Sequence, residues 1–257
     1  MAGFDLSKWY LDCVTDSGQT IIAYTGVVRW GPMRLDYSSL LRSADGNSSN
    51  SAHSLHAHEP SMPDERTLRW RSSELHASGE WSADSSGIRD VIFASGAGSV
   101  EWHCLMPRAR VVACDLAGFG YAERLVMTIA PWNLPLKMLR WGRFTSASDW
   151  VVWIDWVGDF TRRLVYKNGS EVQAAIDGDE RIEFEDGSRL IMDRSLTLRN
   201  GPLGATALCG IPGLRETAPG RLLRIEECKW RSRACLEQIG RPPVEGWAIH
   251  ERVEWPE

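Results

Sequence analysis

Residues 118–156 read GFGYAERLVMTIAPWNLPLKMLRWGRFTSASDWVVWIDW, and this run decides the fold. Aromatic, acidic and arginine residues recur in it on alternate positions, the period at which a strand turns its side chains to opposite faces. Tyr121, Glu123 and Leu125 fall on one strand face. Pro131 and Pro135 frame a short bridge, and Trp150, Trp153 and Trp156 stud an apolar strand around Asp155. Helical periodicity is weak along the whole chain, with short pieces near Leu134 to Leu139 and Arg233 to Ile239 as its best candidates, so the class is all-β.

Working outward, Lys8 to Tyr24 reads as strand, turn, strand, with Asp16-Ser17-Gly18 as the hairpin signal. Val27 to Trp30 and Met33 to Leu41 form a second pair broken at Gly31-Pro32. Ser43 to Glu65, polar and rich in Ser and His, reads as a long loop of the kind that can serve as a lid. Short alternating runs between Thr67 and Asp115 read as meander strands, and hairpins follow at Asn168-Gly169 and Asp186-Gly187. The chain ends in strands at Arg221 to Ala234 and Gly246 to Trp255. Two echoes suggest a repeat: Asp-x-Val-x-Asp occurs at Asp12 and Asp155, and Gly-aromatic-Ala occurs at Gly120 and Gly246. Two β domains, residues 1–130 and 131–257, would account for both.

The chain of 257 residues carries 34 acidic against 29 basic side chains, a net charge of -5, with no basic block to meet a phosphate backbone. Nucleic acid is therefore not expected as a partner. No apolar run reaches the length of a membrane span, and the first residues lack a basic end and an apolar core, so a cytoplasmic protein is expected. The six cysteines form no C-x-x-C pair and read as structural thiols. His53, His56 and His58 lack the carboxylates of a metal centre, and Gly118-x-Gly120 lacks the rest of a dinucleotide fingerprint. No metal and no cofactor are expected. Thirteen tryptophans are the anomaly, and such side chains wall apolar ligand clefts as well as cores.

Several residues carry candidate chemistry. Glu123 beside Tyr121 is either a proton donor among aromatics or an ion-pair partner of Arg124, Arg140 or Arg143. Asp155, flanked by Trp153 and Trp156, has the same two readings, and Asp12 mirrors it. Arg140, Trp141 and Arg143 could bind an oxyanion or flank a cation, or simply tie strands together. Glu101 and His103 share a strand face and either look into a cavity or meet solvent. Trp132 and Trp153 complete the candidate apolar wall.

The Trp9-x-x-Asp12 opening, the Gly118-to-Glu123 element, the Leu139-to-Phe144 element and the paired halves resemble the lipocalin-like (calycin) superfamily of carotenoid 1,2-hydratase (hydroxyneurosporene synthase) and Diels-Alderase-like cyclases. That resemblance implies two antiparallel β-barrel or barrel-like halves side by side, with an apolar cleft for a polyene, isoprenoid or polyketide-like substrate. The sequence departs from the hydratase pattern where Tyr121-Ala122-Glu123-Arg124 stands in place of a histidine-rich Gly-Tyr-His-Asp-His element. The resulting expectation is an enzyme acting on a hydrophobic small molecule by hydration, isomerisation or cyclisation, with Glu123, Asp155 and Tyr121 as catalytic candidates. A non-catalytic carrier on the same fold is the alternative, and an interaction module with exposed tryptophans is a third. A homo-oligomer is compatible with all three.

Overall fold

A computed structural model describes residues 3–43, 49–211, 216 and 218–256. Strand dominates, 66% against 3% helix, which makes the chain all-β. The residues fall into two compact units that divide between Leu134 and Pro135.

In the first unit the strands are β1 (Phe4–Val14), β2 (Thr20–Trp30), β3 (Met33–Ser43), β4 (Ser49–Ser54), β5 (Ser61–Asp64), β6 (Thr67–Ser72), β7 (Ala77–Ala83), β8 (Ile88–Ser95), β9 (Gly98–Ala113) and β10 (Leu116–Met127). They pair in the order β4-β3-β2-β1-β10-β9-β7-β6-β5, with β8 beside the first half of β9. The second unit holds β11 (Leu136–Thr145), β12 (Trp150–Gly158), β13 (Arg162–Lys167), β14 (Ser170–Glu171), β15 (Ala174–Asp177), β16 (Arg181–Phe184), β17 (Arg189–Met192), β18 (Leu196–Pro202), one helical turn α1 (Gly220–Leu223), β19 (Glu226–Glu237) and β20 (Val244–Glu254). Its order is β14-β13-β12-β11-β20-β19-β17-β16-β15, with β18 on β19. Each strand of the second unit thus occupies the place of the strand ten earlier in the first. Every pairing is antiparallel, and in each unit the first strand closes against the last. No helix among the described residues is long and apolar enough to cross a membrane.

Alternation fills each interior. In the first unit Trp9, Leu11 and Cys13 from β1 pack with Ile21, Ala23, Leu68, Trp70, Trp81, Met106, Val111 and Ala122. In the second, Phe144, Val151, Trp153 and Val165 pack with Ile182, Leu190, Leu236 and Ala248. Glycine lets strands approach closely at two decisive places. A Cβ on Gly120 would lie 1.9 Å from the carbonyl oxygen of Asp12, and one on Gly142 would lie 2.2 Å from the Trp153 ring. Turns follow the residues that favour them: Gly18, Gly31, Asn168 and Gly169 all sit at positive φ.

Four sequence expectations need correction. The Ser43-to-Glu65 stretch contains two strands, because β4 hydrogen-bonds along β3 and β5 along β6; residues 44–48 lie outside the described residues. Both suspected helical pieces belong to strands, Leu136 to Leu139 in β11 and Arg233 to Glu237 in β19, where sheet pairing overrides a weak local preference. Arg221, read as the start of a strand, lies in α1, and β19 starts at Glu226. The repeat also runs in a different register from one of its echoes. Gly120 and Gly246 lie on the equivalent strands β10 and β20, but Asp12 lies on β1 and Asp155 on β12, which corresponds to β2.

Candidate functional site

The face of β1 and β10 opposite the first unit's core is also buried, and it carries a polar layer. Cross-strand register sets Asp12 opposite Tyr121 and Tyr10 opposite Glu123. Glu123 is 7% exposed, while Asp12 and Tyr121 are fully buried. Tyr121 donates its hydroxyl hydrogen to Oε2 of Glu123 at 2.6 Å, and the indole N–H of Trp102 donates to the same oxygen at 2.6 Å. Tyr10 donates to Oδ2 of Asp12 at 2.9 Å. The Tyr10 ring packs edge-on against Tyr24 and Tyr121, with centroids 5.3 and 5.9 Å away.

An irregularity in the ladder assembles this layer. Register shifts between Gly120 and Ala122, and again between Ala122 and Glu123, set Cys104 opposite Glu123 while Met106 stands opposite Ala122 on the core side. Trp102 and Cys104 consequently share the face of Glu123, although Met106, two residues on, packs in the core. Re-aiming side chains is what such bulges do. Burial, followed by the neighbouring Cys104 and Glu123, pushes the Tyr121 hydroxyl well above the ordinary phenol range, so it stays a donor. Burial likewise raises the Cys104 thiol and keeps it protonated.

The candidate residues of the second unit divide between two faces. Arg140, Trp153 and Asp155 point to the core side. Asp155, 1% exposed, accepts from Arg140 Nη1 at 3.2 Å and from Arg163 Nε at 2.9 Å. Arg140 extends the network to Asp179 at 3.3 Å, and Asp179 also pairs with Arg252. This is the ion-pair reading of Asp155. Trp141 and Arg143 occupy the opposite face. Arg143 is fully buried and donates through Nη1 to Thr145 Oγ1 and to the carbonyl of Trp247, each at 3.0 Å. Trp141 lies under Lys229 Nζ, 5.6 Å from the ring centre.

Two further candidates stand apart. Trp132 belongs to the first unit, in a 3-10 turn (Pro131–Asn133), and packs edge-on against Phe4 and Trp30. His103 Nε2 lies 3.3 Å from Glu101, which also binds Arg89 at 3.0 Å. That half-exposed group matches the solvent-facing alternative. Among the loop histidines, His58 pairs with Glu74 at 2.5 Å, and a hydrogen bond from its own backbone together with His58 holds the Glu74 carboxyl down at about 2. Among the described residues no three His, Cys, Asp or Glu side chains are grouped to hold a metal.

The sequence reading singled out Asp12, Tyr121 and Glu123 but missed Tyr10, Trp102 and Cys104. Tyr10 carried a usable signal, since it stands two residues from Asp12 and so on the same strand face. Trp102 and Cys104 carried none, because only the bulged register of β9 against β10 brings them in.

Solved structures share this architecture. CghA crystallised with Sch210972 superposes with a TM-score of 0.58 at 13% identity, over 98% of this chain and 88% of that one. Kievitone hydratase from Nectria haematococca gives 0.58 at 10% identity, over 98% and 89%. This chain has the lipocalin-like fold. No protein-family model matches it, and no curated protein matches it in sequence. At such identities the likeness speaks to the fold, and chemistry has to be argued from the residues.

Proposed function

We propose that the protein is an enzyme acting on a hydrophobic small molecule through proton transfer at Glu123, in a hydration, isomerisation or cyclisation. The observation that carries this reading is the pair of 2.6 Å hydrogen bonds that Tyr121 and Trp102 place on one oxygen of Glu123 within a buried aromatic layer. Two donors on Oε2 fix the plane of the carboxyl group, and Oε1 is the oxygen proposed to give and take the proton. In a hydration, a proton from Glu123 would pass to an alkene carbon, water would add to the resulting cation, and the carboxylate would take back the proton that the added water loses; in an isomerisation, the carboxylate would take a proton from one carbon and return it to another. Tyr121 and Trp102 are positioning groups, and the Tyr10, Tyr24 and Tyr121 rings offer π-faces to a developing positive charge. The names of the structural neighbours, a hydratase among them, support an enzymatic reading on this fold.

The test is to incubate a lipid-soluble extract of the native cell with wild type, Glu123→Gln and Tyr121→Phe, and to compare the small molecules by mass spectrometry. A compound that wild type converts and Glu123→Gln leaves intact is the expected outcome. If all three proteins retain the same compound unconverted, the protein is a carrier, the second reading, which rests on the buried aromatic layer alone.

A further inference from the structure

On β19 of the second unit, Glu227, Lys229 and Arg231 alternate onto the face that also carries Trp141 and Glu251, opposite the core. Glu227 is 4% exposed. Its Oε1 lies 3.7 Å from Lys229 Nζ and 3.9 Å from Arg199 Nη1, close enough for attraction and too far for a hydrogen bond. Its Oε2 is buried with no hydrogen-bond partner. Lys229, 1% exposed, is tied to Glu251 and sits over Trp141. A buried carboxylate oxygen left unbonded is costly, and native proteins keep such groups where something else completes them.

Across the ladder from Glu227 stands Gly201, at φ +128, which presents no side chain. A Cβ built there would meet only Thr206 Cγ2, at 3.6 Å. Two cations, Lys229 and Arg199, already flank Glu227, so the missing partner need bring no charge of its own. What Oε2 lacks is a hydrogen-bond donor.

We propose that Glu227, beside the side-chain gap at Gly201, is a binding group for a neutral hydroxyl-bearing ligand, an alcohol or phenol whose O–H donates to Oε2. Lys229 and Arg199 flank the carboxylate, and Trp141 provides aromatic surface on the same face. The site lies on the second unit and does not rest on the role given to Glu123.

Binding of p-cresol to the full chain, followed by ligand-observed NMR, tests the assignment against p-methylanisole, which is similar in shape but has no O–H. Wild type is expected to bind p-cresol at least about tenfold more tightly than p-methylanisole. Glu227→Leu should erase that preference and Glu227→Gln, which keeps a carbonyl acceptor, should retain most of it, while Glu123→Gln should leave it unchanged. Equal binding of the two probes by wild type overturns the proposal, and this arm needs no variant to fold. A preference that survives Glu227→Leu overturns it as well, and so does failure of wild type to bind p-cresol at all.

Discussion

The indole N–H of Trp81 donates to the backbone carbonyl of Asp12 at 2.8 Å, tying the core of the first unit to the strand whose other face carries the polar layer. Trp81 is 1% exposed, so nothing in solvent replaces that bond. Trp81→Phe should cost about 3 kcal/mol, from the lost hydrogen bond and the lost volume together. Urea unfolding should show a lower midpoint at unchanged slope.

The same carbonyl makes Gly120 indispensable. A methyl at Gly120 would sit 1.9 Å from it and 2.8 Å from Val111, and backbone cannot move aside cheaply. Gly120→Ala should yield insoluble protein or lose more than about 3 kcal/mol. Gly169→Ala is the control: it meets nothing within 4 Å and should cost only about 1 kcal/mol, for its positive φ.

Asp155 tests the division between chemistry and architecture. Asp155→Asn leaves Arg140 and Arg163 sharing a neutral amide at a position that is 1% exposed, which should destabilise the protein by about 3 kcal/mol. Turnover per folded molecule should be unchanged at a temperature where the variant is folded. A loss comparable with that of Glu123→Gln would return Asp155 to the catalytic set.

His250 predicts acid sensitivity. It is 3% exposed, accepts or donates a hydrogen bond with Ser232 at 2.8 Å and stacks on Trp230. Burial first, then the charges of Arg194 and Lys229, lower its pKa to about 3. Below pH 6.5 the unfolded chain takes up a proton that the folded protein refuses, so this stability is full above 6.5 and falls as pH drops toward 3, by about 1.4 kcal/mol per unit. Urea midpoints should decline from pH 6.5 downward in wild type and stay flatter over pH 6.5 to 5 in His250→Phe. The carboxyls of Glu74 and Asp186, both held near 2, lose their contribution only at lower pH and leave that window clean.

The proton transfer proposed for Glu123 carries its own pair of expectations. Glu123→Gln should reduce turnover by about a hundredfold or more, whereas Tyr121→Phe, which removes one of two orienting donors, should reduce it by about tenfold. The raised Tyr121 hydroxyl stays protonated in the fold, so any loss of rate below pH 10 arises elsewhere. An equal loss in both variants would point to damage to the layer and not to proton transfer.

Legibility in the sequence followed the range of the interactions involved. Alternation around Tyr121, Glu123 and Asp155 is local, and it was enough to announce strands and to set Tyr121 and Glu123 on one face. Pairing is not local. The bulges that bring Trp102 to Glu123, and the ladder that makes strands of Ser49 to Ser54, depend on partners far along the chain. Buried acids show the same limit: Asp155 and Glu123 look alike as acids among aromatics, yet one meets two guanidiniums and the other a phenol and an indole. Glu227 stands in EECKWRSR, where charged residues alternate with Cys, Trp and Ser, but its significance lies in an oxygen whose surroundings only the fold sets.

The closure of each unit by its first and last strands sets an order of events during synthesis. Leu6 finds its partner only when Met127 has been made, and Met138 waits in the same way for Glu254. Until then β1, and later β11, presents an unpaired edge on a strand that is largely apolar, open to any other extended chain nearby. Folding of such a unit is slow because its decisive contact spans nearly its whole length. A ribosome that stalls just short of β10 therefore releases a polypeptide primed to aggregate, whereas one that stalls within the bridge at Pro131 releases a unit that can already close.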